Sequence, residues 1–383
     1  MMKRIRPKKS IALLVSFAFV LAACGTDDNG DDAPDEPETE EPETEEPDTD
    51  EPESDDDPAE GDEEEPEAES EPLAISMTSA ASLELVLPLF VAEGMGAYED
   101  DNLEIDLTLA SGQAARTSLI TGEVEMAMLG FSLIPVAQQA GEDVRVVATA
   151  HEKGIFSLLV RSELEGEVNE IADLEGRVVA FAFPGAGSWA YGLGFLDSAG
   201  LNPDTDVEYT SIGSADPGVH YSTLESGAAD ALITWQPTAS RVIADGIAFP
   251  LVPIWDEEVH REVLGSDTSM SMTMGTMAST IEEDPEMVQR VVDAYMAGLE
   301  YIGSHSPEEI YEVSMQTGPG QELLGGLDEE LAIEIIELLQ NGFGTGCLSE
   351  EAYLTEMNLT ADFGVADFID YADATDDSFA GAC

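Results

Sequence analysis

From residue 73 onward the apolar positions fall into two alternating periods. LAISMT (73–78) has strand length, and LEIDLTLA (103–110) places an apolar residue at every other position. Between them LELVLPLFVAEGMGAYEDDN (83–102) spaces its apolar residues as a helix does and ends near glycines. A period of two sends side chains to opposite faces of a strand, and a period near 3.6 gathers them on one helix face. The pattern continues with a helix over Ala114–Thr121, a strand VEMAMLG (124–130), a helix over Phe131–Ala140, and strands VRVVATA (144–150) and FSLLVRS (156–162). It then restarts. GRVVAFAF (176–183) reads as a strand, PGAGSWAYGLGFLDSAG (184–200) as a helix, VEYTSIG (207–213) as a strand, STLESG (222–227) as part of a helix, and AADALITW (228–235) as a strand. Strands alternating with helices predict an α/β fold with parallel sheets and crossover helices. The restart predicts two lobes, one over about 73–155 plus 245–300 and one over about 156–244. SMSMTMGTMAS (269–279) reads as a core or crossover strand, because methionine fills irregular apolar gaps. PEMVQRVVDAYMAGLEYIG, PEEIYEVSMQ and DEELAIEIIELLQNGF predict a helical C-terminal region over about 281–383.

Residues 1–72 follow other rules. The first ten carry Lys3, Arg4, Arg6, Lys8 and Lys9, and Ile11 to Ala23 is apolar apart from Ser16. A basic start followed by an apolar run too short to span a bilayer as a helix reads as a secretory signal over 1–23. Leu21-Ala22-Ala23-Cys24 resembles the lipobox of bacterial lipoproteins, which implies that Cys24 becomes the lipidated first residue of the mature chain. The alternative is an ordinary signal with an incidental Cys. Residues 27–72 hold 27 acidic residues and no Lys or Arg. Such a run cannot bury apolar surface and extends by self-repulsion. It reads as a solvated stalk behind the lipid anchor, or as an acidic tail for a basic partner.

The remaining chain is acidic as well. Of 82 Asp and Glu, 55 lie outside that run, against eight basic residues after Cys24. Nucleic-acid binding is excluded, since neutralising phosphate requires a basic face. An acidic surface suits high salt, where the screening length is about 3 Å at 1 M. Cys347 and Cys383 would both lie outside the membrane, so they fit a disulfide closing a loop of 37 residues, or two free thiols. The four histidines are scattered without ligand spacing, so no metal site is expected.

An ordered series of short motifs carries a family likeness across roughly residues 73–255. Ala92-Glu93-Gly94, Tyr98, Leu103-Glu104-Ile105, Gly112, Leu119, Gly122 and Gly130 in the first half resemble solute receptors of ABC importers, in the branch that takes nitrate, sulfonates, taurine and thiamine precursors. ADLEGRVVAFAFPGAGSWAYGLGFLDSAGLNPDTDVEYTSIG and ESGAADALITWQP continue the likeness. Glu125 stands where an Asp is usual, and Gln236 where an acid is common. The resemblance implies a two-lobed periplasmic-binding-protein-like (type II) fold. It further implies a monomer on the outer face of the cell membrane, with a small-molecule ligand, an ABC permease and its ATPase as partners, and no cofactor.

Open α/β sheets bind ligands beyond the carboxyl ends of their strands. The candidate ligand-binding residues on those loops are Ser79, Ala80, Ser111, Gly112, Phe131, Ser132, Gly187, Ser188, Trp189, Ser211, Trp235 and Gln236. Trp189 and Trp235 fit stacking on a planar or apolar ligand, or packing in a core. Arg116 is the only basic residue near these loops, and it could pair with an anion or with Glu123. Three function classes follow. The leading one is a substrate-binding protein without chemistry of its own. The others are a receptor or adhesin not coupled to import, and an enzyme related to pyrimidine-precursor synthases, whose clustered-Cys motif is missing from this sequence. With so few basic residues, a partly apolar, aromatic or heterocyclic ligand fits better than a small anion.

Overall fold

The computed structural model describes residues 72–100, 102–212 and 217–383. The signal segment, Cys24 and the acidic run up to residue 71 lie outside the described residues. Among the described residues, ten strands form two five-stranded sheets. The first contains β1 (Leu73–Ala80), β2 (Leu103–Ala110), β3 (Met126–Gly130) and β4 (Val144–His151). The second contains β5 (Ser157–Arg161), β6 (Val178–Phe181), β7 (Glu208–Ser211), β8 (Ala231–Thr234) and β9 (Ala248–Val252). The chain returns to the first sheet with β10 (Met272–Met277), giving the orders β2-β1-β3-β10-β4 and β7-β6-β8-β5-β9.

Both sheets are mixed, which corrects the all-parallel expectation. β1 pairs in parallel with β2, from Leu73↔Leu103 to Ala80↔Ala110, and also with β3. β10 runs antiparallel to β3 and β4, and β5 antiparallel to β8 and β9. Parallel neighbours need a crossover connection, usually a helix. β5 follows β4 after five residues and β10 arrives from the other sheet, so neither is held to the parallel direction. β9 was not legible as a strand because it contains Pro250. It lies at a sheet edge, where proline is tolerated. The Met-rich segment is the core strand expected of it, with Met272 and Met274 buried.

Helices cover both sheets, and the C-terminal third is helical as predicted. The helix Leu83–Gly94 buries ten of its twelve residues and is crossed by Pro285–Ser304. Gly298 makes that crossing close: a Cβ there would lie 2.1 Å from the Pro88 carbonyl oxygen. A main-chain atom cannot swing aside, and overpacking of this kind costs about 1–3 kcal/mol or more. Gly298→Ala should therefore lower the unfolding free energy by that amount, read as a lower urea midpoint. Gly303→Ala, in the same helix but facing open space, should be neutral or slightly stabilising. Equal midpoints for the two variants would refute the close crossing.

The C-terminal helix Glu350–Asp362 ties the two sheets together. The buried carboxyl of Glu356 accepts from Tyr191 of the second sheet's helix Gly187–Ser198 (2.5 Å), and from Ser269 just before β10. Burial pushes its pKa up against those two hydrogen bonds. Cys347 and Cys383 form a disulfide, with Cα atoms 5.5 Å apart.

Candidate functional site

The loops after β1, β2, β3, β6, β7 and β8 converge on one cleft of about 90 Å³ between the two sheets. Six sequence-predicted residues line it: Ala80, Ser111, Gly112, Gly187, Ser188 and Trp235. Each sits at the carboxyl end of a strand or in the first turn of the following helix, where the chain must turn and small residues fit. The helix Gly112–Ile120 opens with Ser111 as its N-cap, whose Oγ accepts from Ala114 N at 3.2 Å. Gly187 opens its helix against the opposite wall. A Cβ on it would lie 2.8 Å from the Phe156 ring, so glycine lets this helix approach the crossover between the sheets.

The other six predicted residues lie outside the lining. Ser79 is fully buried and donates to its neighbour's carbonyl, Ala80 O. Phe131 packs edge-on to Tyr353, with centroids 5.2 Å apart. Ser132 reaches across to donate to Gly185 O at 3.4 Å. Ser211 is exposed on β7. Trp189 is packed between Phe181 and Tyr209, at 5.3 and 5.1 Å. It follows Gly187 by two positions, about 200° around the helix, so it faces its own sheet when Gly187 faces the cleft. Gln236 is buried with its Oε1 accepting from Ser240 N, on the wall of a neighbouring cavity. Arg116 neither lines the cleft nor pairs with Glu123, and its Nε is buried without a partner.

Several lining residues escaped the sequence reading. Ile155 and Phe156 come from the β4–β5 crossover, and Met272 from the start of β10. Phe156 stands edge-on to Trp235 (5.7 Å) and to Tyr191 (5.0 Å), fixing the indole in place. Nothing local to these residues marks them, because the distant strand order brings them there.

Glu84 was also missed. It is 1% exposed, in the first turn of the helix Leu83–Gly94. Its carboxyl accepts from Ser82 Oγ at 2.6 Å and from Gln236 N at 3.0 Å. Leu83 N donates to Gln236 O at 3.4 Å. The loop after β1 in one sheet is thus bonded to the loop after β8 in the other, beside the cleft. Burial pushes the Glu84 pKa up to about 7, and the hydrogen bonds oppose that rise. A lone charge in LELVLPLF was the available signal.

The neighbouring cavity, about 300 Å³, collects the titratable groups that the cleft lacks, among them Glu84, His151, Lys153 and His260. Gly154 N donates to His260 Nε2 at 2.8 Å, which places the ring proton on Nδ1, facing Ser266 O at 3.0 Å. Burial lowers the His151 pKa to about 4, so the ring is neutral at pH 7. Among the described residues no group of three or more His, Cys, Asp or Glu is placed to hold a metal ion.

A model of the NMT1/THI5 like family matches residues 85–310. Among solved structures, the periplasmic aliphatic sulphonate binding protein SsuA from Escherichia coli superposes with a TM-score of 0.61 at 17% identity, over 79% of this chain and 91% of that one. The periplasmic nitrate-binding protein NrtA from Synechocystis PCC 6803 gives 0.65 at 12% identity, over 81% and 87%. The ligand binding component of an ABC-type import system from Staphylococcus aureus gives 0.65 at 10% identity, over 80% and 97%. At these identities the likeness is one of fold: the two-sheet, type II periplasmic-binding-protein architecture with a helical C-terminal region. No curated protein sequence matches the chain.

Proposed function

The chain belongs to the NMT1/THI5-like family, and from that premise we propose that it is the substrate-binding protein of an ABC importer. It captures a small organic molecule between its two lobes and hands it to a membrane permease driven by an ATPase. The observation that carries this reading is the convergence of loops from both sheets on one cleft, with Glu84 and Gln236 joining the lobes beside it. Hinge closure of two lobes on a ligand is the established way such a shape reports occupancy to a partner. Among the described residues the cleft lining contains no Asp, Glu, His, Cys, Lys or Arg, which favours holding a molecule over transforming it. Lipidation at Cys24, with the acidic run up to residue 72 as a stalk, would hold the receptor on the outer face of the membrane, where a monomer suffices.

Native mass spectrometry of the exported protein should reveal a retained small molecule. Trp235→Ala should weaken its binding by about tenfold to a hundredfold, at 1.4 kcal/mol per decade. Trp189→Ala, in the second sheet's own packing, should leave the affinity within a few fold. Unchanged affinity in Trp235→Ala would sink the assignment of the site.

A further inference from the structure

We infer that the cleft selects an uncharged ring compound that offers one or two hydrogen-bond acceptors, and that it rejects fully ionised small anions. This rests on the proposed binding role and names the class of ligand. The walls are apolar or aromatic: Trp235, Phe156 and Phe183 supply ring faces and edges, and Leu85, Leu133 and Met272 close the remainder. Aromatic walls of this kind favour offset or edge-on contact with another ring.

The hydrogen-bonding capacity is small and partly used. The Ser82 hydroxyl is donated to Glu84. Ser111 Oγ takes one of the first N–H groups of the Gly112 helix, and Ser188 Oγ accepts from Ala182 N at 3.4 Å. Among the described residues, what remains is the first one or two N–H groups of the Gly112 and Gly187 helices, the free hydroxyl protons of Ser111 and Ser188, and the Gln113 carboxamide. Those can satisfy a carbonyl or a ring nitrogen. None of them carries a positive charge, and a buried anion left without a counter-charge is costly.

The charges around the cleft act in the same direction. Arg116 lies one turn along from Gly112 but not in the lining, and Arg241 lines a separate cavity that meets this one at Ser111. Lys153 belongs to the neighbouring cavity, where its Nζ donates to Asp267 O at 2.6 Å. The Glu84 carboxyl is set beside the cleft, and 55 acids against eight basic residues over residues 73–383 make the whole domain an unfavourable field for an anion.

The test compares probes that share a ring and differ in charge: benzamide and benzyl alcohol against benzoate and benzenesulfonate, with nitrate as the small anion. Binding to the full chain is read by the melting temperature and by Trp fluorescence. Neutral probes should bind at least tenfold more tightly than their charged partners, and Trp235→Ala should abolish the difference. Anions binding as tightly as the neutral probes, with that binding lost in Arg116→Gln, would overturn the ligand class and leave the binding role standing. No response to any probe, together with no small molecule released when the purified protein is unfolded, would overturn both.

Discussion

Replacing Cys347 and Cys383 together with serine is expected to lower the unfolding free energy by about 3–4 kcal/mol, the loop-entropy value for a link across 36 residues. The bond holds more than a loose end. Leu348 N donates to Gly381 O at 2.9 Å and Cys383 N to Leu348 O at 3.0 Å, so the last residues pair beside the link. The same segments cover β4, an edge strand of the first sheet. Thr149 N donates to Gly346 O at 2.8 Å, and Asp376 N to Val146 O at 2.9 Å. An uncovered edge presents unpaired main-chain groups and invites association. The double variant should therefore show a lower urea midpoint and a greater tendency to self-associate. A reducing agent should have the same effect on the natural protein and none on the variant. An unchanged midpoint would mean that main-chain bonds alone hold the terminus.

Above pH 7, Glu84→Gln is expected to be more stable than the natural protein by about 3 kcal/mol, and equal to it below pH 4.5. Burial raises the Glu84 pKa from 4.5 to about 7, and each unit corresponds to about 1.4 kcal/mol. The folded state holds this proton more tightly than the unfolded chain, so it binds the excess protons between pH 4.5 and 7. Stability from this group is complete below that window and falls as pH rises through it. Glu356, also raised by burial, acts in the same sense, whereas His151 and His260, lowered by burial, gain stability as pH rises. The Glu84 contribution is therefore read from the difference between variant and natural protein in urea titrations at a series of pH values. A difference independent of pH would show that Glu84 titrates normally.

The same side-chain types had different fates in the fold. Trp189 and Trp235 were indistinguishable as aromatic residues on turns after strands. Helix phase sent one into its sheet, and contact with Phe156 held the other at the cleft. Ser111 and Ser132 both follow strands of the first sheet, yet only Ser111 lines the cleft. Glu84 read as one acid among many, and its burial arose from a loop 152 residues further along the chain.

The sequence by itself determined the order of strands and helices through β8, the α/β class, the helical C-terminal region and the strand-end loops that supply Ala80, Ser111, Gly112, Gly187, Ser188 and Trp235. Those follow from periodicity and turn chemistry, which act over a few residues. Only the tertiary structure decided that β5 and β10 reverse direction, that Phe156 and Met272 complete the cleft wall, that Cys347 meets Cys383, and that Glu84 bridges the lobes. Each of these depends on which distant segments become neighbours when two sheets pack, and local spacing along the chain carries no record of that.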